Sequence, residues 1–71
     1  MKNRLKIERA IHGLTQSELA DKVQVSRQTI HSIEQGKYNP SIILALKICE
    51  VMEKTIEEVF ELERSDWDST K

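Results

Sequence analysis

Residues Gln16 to Gln35, QSELADKVQVSRQTIHSIEQ, hold the densest set of side chains in this chain that can make directed hydrogen bonds. At about 100° per residue, Arg27, Gln28, His31, Ser32 and Gln35 fall within an arc of about 140°, and Ile30 and Ile33 fall opposite. Arginine and glutamine present the paired hydrogen-bonding groups that match guanine and adenine edges in a major groove. A merely solvated helix carries Glu and Lys there more often. His31, between Arg27 and Ser32, suits a base edge or a phosphate. Gln16 and Ser17 open the preceding helix, where backbone amides and the helix dipole favour an anion. Lys37, Tyr38 and Asn39 follow the polar face on the same side, adding a charge and two neutral donors. Phosphate donors that flank a base-reading helix are the division of labour of a DNA-binding surface.

The elements that must hold this face are marked by caps. A first helix is expected from about Lys2 to His12, with Leu5, Ile7 and Ile11 apolar and Gly13 as its C-cap. Thr15-Gln16-Ser17-Glu18 is a capping box, with Leu14 and Leu19 placed to form a hydrophobic staple. The second helix runs to about Val23, Gln24-Val25 make the turn, and Ser26 caps a third helix that reaches Gln35. Gly36 ends it, and Lys37-Tyr38-Asn39-Pro40 has turn chemistry. Pro40 or Ser41 opens a fourth helix to about Met52. Thr55-Ile56-Glu57-Glu58 is a second capping box and begins a short fifth helix through Phe60. No strand pattern, repeat or low-complexity segment is seen, and the tail ELERSDWDSTK has no clear period.

Seventy-one residues make one small domain with a limited core. The expected division is a domain over 1–62, with the motif at 16–35, and an acidic tail over 63–71. No run of 18 apolar residues is present, which excludes a membrane-spanning helix. The N-terminus lacks the apolar stretch of a signal peptide, so the expected compartment is the cytoplasm. The net charge of -1 hides an asymmetry. Residues 1–40 carry seven basic and four acidic side chains, and residues 41–71 carry four and eight. A basic working half and an acidic rear half follow. Cys49 has no second thiol to pair with and reads as a small buried hydrophobe.

The run GLTQSELADKVQVSRQTIHSIEQGKYNPS resembles the helix-turn-helix of the lambdoid phage repressor and Cro group, the XRE-type regulators. The resemblance covers about residues 3–60. It implies an all-α fold, a compact bundle of five helices like the DNA-binding domain of lambda repressor. The second helix would lie across the DNA backbone and the third would enter the major groove. By position it makes Ala20 the small residue where those helices cross, and Val25, Ile30 and Ile33 core residues. It assigns Arg27, Gln28 and Ser32 to base edges, and Gln16, Gln35, Lys37 and Asn39 to phosphates. Arg9 and Glu34 match a structural ion pair. The chain departs from the group in three places. Gln24 stands where glycine is usual, so either Gln24 takes a positive φ or the turn is altered. Glu53-Lys54 replaces a usual Gly-Val, which leaves the end of the fourth helix open. Ile43 and Val51 are apolar where the group is often polar, and with Leu46 and Phe60 they offer the fourth helix a second apolar face for a partner.

The expected function is sequence-specific binding of double-stranded DNA by a transcriptional regulator, a repressor acting as a homodimer on a near-palindromic operator. A second class is an interaction module of antitoxin type, whose fourth helix and acidic tail neutralise another protein. No constellation suits an enzyme, a metal, a cofactor or a small-molecule ligand: His12 and His31 lie far apart in the pattern, and no nucleophile is paired with a base. His12 suits a helix end, interacting with the dipole. Trp67 is either part of a disordered end or, with Leu62, docked on the chain's rear surface or across a dimer.

Overall fold

The computed structural model describes residues 1–68. The elements run β1 (Lys2–Asn3), α1 (Leu5–Ile11), α2 (Gln16–Val23), α3 (Arg27–Glu34), α4 (Ile42–Met52), α5 (Ile56–Val59), β2 (Phe60–Glu61) and α6 (Arg64–Trp67). The small helical bundle expected from the caps is present, and the ranges of α2 and α4 match the reading closely.

The helix starts follow from side chains that accept the otherwise orphaned amides of the first turn. Thr15 Oγ1 accepts from Glu18 N at 3.0 Å while Glu18 Oε1 accepts from Thr15 N at 2.8 Å. Ser26 Oγ accepts from Thr29 N, and Ser41 Oγ accepts from Leu44 N, both at 3.1 Å. At α5, Thr55 N donates to Glu58 Oε1 at 2.8 Å.

Four helix ends share one device. In each, a residue in the left-handed region donates its amide three residues back, and the next residue donates five back: Gly13 and Leu14, Gln24 and Val25, Gly36 and Lys37, Glu53 and Lys54. This pattern satisfies the last carbonyls of the helix and turns the chain sharply. Gly13 and Gly36 do it at φ 66° and 75°. Gln24 and Glu53 do it at φ 65° and 57° with a Cβ present. Of the two alternatives for Gln24, the turn is kept and the residue bears the positive φ. Glu53 likewise ends α4 at Met52.

The core is one cluster. Leu5, Leu19, Ile30, Ile48 and Met52 are fully covered, joined by Val23, Ile33, Ala20, Val59 and Phe60. Val25, half-buried, packs against it along with Leu14. Ala20 is 2 % exposed, and its small side chain lets α2 and α3 approach closely.

Several expectations are corrected. The chain is not wholly helical: β1 and β2 form an antiparallel two-residue ladder that pairs Lys2 with Glu61 and Asn3 with Phe60. Arg4 N donates to Val59 O at 2.8 Å and extends it. The first helix therefore starts at Leu5, because residues 2–3 are spent on this pairing. Phe60 belongs to the ladder and the core, so it ends α5 one residue early and is mostly covered. Val51 packs half-buried against the core. Ile7 and Ile11 face solvent instead, at 49 % and 68 % exposure. The tail contains a helix, α6, where none was expected. Glu63 N donates to Asp66 Oδ2 at 2.7 Å, and the N-terminal ammonium meets Glu63 Oε1 at 2.8 Å and Asp66 Oδ1 at 3.2 Å. Leu62 and Trp67 are 59 % and 74 % exposed, so α6 is held by charge and neither apolar side chain is packed on this chain's own rear surface.

Candidate nucleic-acid interface

The site begins with how α3 is held. Ile30 and Ile33 are buried and fix its inner edge in the core. Asn3 Nδ2 donates to Ile33 O at 2.9 Å, while Asn3 Oδ1 accepts from Leu5 N at 3.1 Å. One side chain thus ties the start of α1 to the end of α3. The sequence reading did not single out Asn3, since the pairing spans 30 residues.

Glu34 is the electrostatic centre. Its side chain is 2 % exposed, and Arg9 Nε lies 2.7 Å from Glu34 Oε2. Arg9 also donates through NH2 to Glu34 Oε1 at 3.3 Å and through NH1 to Leu14 O at 2.8 Å. The forked guanidinium suits this role because its donors are rigidly spaced and it stays charged. Arg9 and Glu34 therefore join α1, α3 and the loop leading into α2.

The network then reaches the outer face. Gln16 Nε2 donates to Glu34 Oε1 at 3.0 Å, and lies 3.4 Å from His31 Nδ1. An amide nitrogen can only donate, so in this contact His31 Nδ1 is the accepting atom. Gln16 Oε1 in turn accepts from Arg27 NH1 at 3.3 Å. Gln16 is therefore half-buried and spent on three partners, and what it offers outward is its first-turn backbone. His31 and Ser32 are half-buried rather than exposed, because Gln16 and the loop after α3 cover part of them.

Arg27 and Gln28 are exposed on the first turn of α3. Gln28 Nε2 donates to Ser32 Oγ at 3.4 Å, one turn along. Gln28, Thr29, Ser32 and Tyr38 line a shallow depression on this side. Tyr38 is 48 % exposed, so its ring borders the recognition face while much of it faces solvent. Gln35 caps α3, and Gly36 turns the chain so that Lys37, Tyr38 and Asn39 are exposed beside the helix end. Ser17 is exposed on the first turn of α2. The structure thus brings Gln16, Arg27, His31 and Glu34 into one chain of contacts and places Gln28, Ser32 and Tyr38 around one depression. It also adds Lys47, whose Nζ donates to Gln24 Oε1 at 3.2 Å across the helix-turn-helix turn. Nothing in the spacing of Lys47 marks it, because it comes from α4.

Elsewhere, His12 Nδ1 lies 3.0 Å from Glu8 O, a carbonyl near the end of α1 that can accept from the ring. Among the described residues no group of three His, Cys, Asp or Glu side chains is placed to hold a metal ion. Nor is any described helix long and apolar enough to cross a membrane.

Known proteins agree with this geometry. A helix-turn-helix family model matches residues 5–59. An HTH-type transcriptional regulator of Methanocaldococcus jannaschii is 57 % identical over 60 residues, covering 84 % of this chain and 91 % of that one. The HTH-type transcriptional regulator YgzD of Bacillus subtilis is 47 % identical over 66 residues, covering 93 % of this chain and all of that one. Among solved structures, the N-terminal DNA-binding domain of SinR from Bacillus subtilis superposes with a TM-score of 0.74 at 31 % identity, over 86 % of this chain and 90 % of that chain. The restriction-modification controller protein C.AhdI from Aeromonas hydrophila gives 0.74 at 30 % identity, over 80 % and 86 %. With the caps, the buried Arg9–Glu34 pair and the polar face of α3 already in place, these matches settle the family: the chain belongs to the XRE-type helix-turn-helix transcriptional regulators, a DNA-binding family.

Proposed function

We propose that the protein is a repressor that binds a near-palindromic operator as a homodimer in the cytoplasm. The observation that carries this is the outward face of α3, where Arg27 and Gln28 stand exposed on a helix whose other edge is locked in the core. In this reading Arg27, Gln28 and Ser32 meet base edges, and His31 joins them through Nε2. Ser17, Gln35, Lys37, Tyr38, Asn39 and the backbone at Gln16 hold phosphates on either side. Arg9 and Glu34 are structural: they set the angle between α1, α2 and α3, and through Gln16 they orient Arg27. One module of this size covers little DNA, and two related by a dyad cover enough for tight specific binding. Repression needs only occupancy of a promoter, which a DNA-binding domain supplies. The solved relative C.AhdI is named as a controller protein, which supports a regulatory role.

Selection of bound duplexes from a random pool tests the proposal. The expected result is a near-palindrome with half-sites about one helical turn apart. A pool that emerges without sequence enrichment overturns it.

A further inference from the structure

The rear of the molecule carries a second surface whose chemistry is opposite to that of the α3 face. Three large apolar side chains of α4 stand in solvent: Ile42 at 64 %, Ile43 at 66 % and Leu46 at 53 %. Spacings of three and four residues put them on one strip. Leu46 is also a wall of a groove between α4 and α5, with Ile56 across from it. Ile56 then lines the next depression, with Phe60 and Leu62. Ile56 is shared by the two grooves and Leu46 joins the first of them to the exposed strip of α4, which makes a track along α4 and across α5.

The rim of this track is acidic. Glu50, Glu53 and Glu58 border the first groove beside Lys54, and Glu57 and Glu61 border the second beside Met1, whose ammonium is already paired with Glu63 and Asp66. Glu58 keeps its charge, since the Thr55 amide and hydroxyl hold its carboxyl below the usual range. Contiguous exposed apolar side chains edged by one sign of charge mark an interaction site.

We infer that this track is a docking site for a basic amphipathic helix of a partner protein. The apolar strip supplies the floor on which side chains at i, i+3, i+4 and i+7 of such a helix seat, and the glutamates pair with its flanking Lys or Arg. DNA is repelled by the same carboxylates. A second copy would bring two acidic rims together. The chain's own α6 is engaged by the N-terminal ammonium and leaves the track open. This surface is distinct from the DNA-binding face and stands independently of it.

The test uses fluorescence anisotropy with the intact chain and a labelled Leu/Lys peptide of amphipathic helical pattern. A scrambled Leu/Lys peptide and a Leu/Glu peptide serve as controls. The patterned Leu/Lys peptide is expected to bind at least about tenfold tighter than the scrambled one. Leu46→Ser, and separately the pair Glu50→Lys with Glu57→Lys, each weaken it about tenfold, with operator affinity unchanged. These side chains are exposed, and circular dichroism confirms that the variants fold. Equal binding of patterned and scrambled peptides overturns the inference, as does indifference to Leu46→Ser. A dimer that Leu46→Ser turns into a monomer in sedimentation also overturns it, by naming a second copy as the occupant. Loss of DNA binding with peptide binding intact would strike only the repressor reading.

Discussion

Arg9 and Glu34, 25 residues apart, form the tightest side-chain ion pair described, at 2.7 Å, with Glu34 nearly sealed from solvent. The pair sits directly behind the recognition face and couples the body of the fold to it through Gln16. Removing one partner leaves a buried charge without compensation. Arg9→Ala or Glu34→Ala should therefore cost about 3–5 kcal/mol in urea unfolding, and Arg9→Met with Glu34→Leu should recover much of it. A double-variant loss equal to the sum of the two single losses would show that the pair is not coupled.

Base contacts and phosphate contacts separate experimentally. Arg27→Ala or Gln28→Ala should remove about 1–3 kcal/mol of discrimination at one operator position. Lys37→Ala should weaken all sequences alike and reduce the slope of log affinity against log salt by about one. Wild-type affinity indifferent to both sequence and salt is the outcome that sinks the assignment.

Gln24 and Glu53 bear a conformation that glycine adopts without a steric penalty. Gln24→Gly and Glu53→Gly should each raise stability by about 0.5–1 kcal/mol, despite loss of the exposed Lys47 contact at Gln24. Gly36→Ala should lower it by about the same amount. Thermal unfolding of the three variants decides the sign.

Glu8 is 4 % exposed, and its Oε1 has no hydrogen-bond partner among the described residues. Its other oxygen lies 3.9 Å from Arg4 Nε. An unsatisfied buried oxygen costs about 1–3 kcal/mol, so Glu8→Leu, close in volume, should be stabilising by that order. A lower melting temperature for Glu8→Leu would refute this.

The hold on α6 has a pH window. Hydrogen bonding to Glu63 raises the N-terminal ammonium above its ordinary 8.0, a shift that burial opposes and Asp66 reinforces. A raised folded pKa means its contribution is complete below that ordinary value and fades as pH climbs through the raised one. The Glu63 amide holds Asp66 below its ordinary 3.8, so its contribution is complete above that value and fades as pH falls through the lowered one. Amide exchange at residues 64–67 should therefore be slowest, after correction for intrinsic rates, between about pH 5 and 8. A protection profile that stays flat as pH falls well below 3.8 and climbs well above 8.0 would count against the tether.

Local chemistry was legible in the chain before any coordinates. The capping boxes at Thr15 and Thr55, the glycine stops and the alternation of Ile30 and Ile33 with Arg27, Gln28 and Ser32 fix which segments are helices and which face of α3 turns outward. These signals lie within four residues of one another, so short-range hydrogen bonding and helical period suffice to read them. Tertiary structure decided the rest. The β1–β2 ladder has two residues a side and so no period to detect, and it exists because α5 returns the chain beside its start. The positive φ of Gln24 and Glu53 is imposed by packing at the two corners, against their own preference. Gln16 stands beside Glu34 and His31, and Lys47 beside Gln24, only because α1, α2, α3 and α4 close around one core. Residue type and spacing determined what α3 can touch; distances between residues remote in sequence determined how it is aimed.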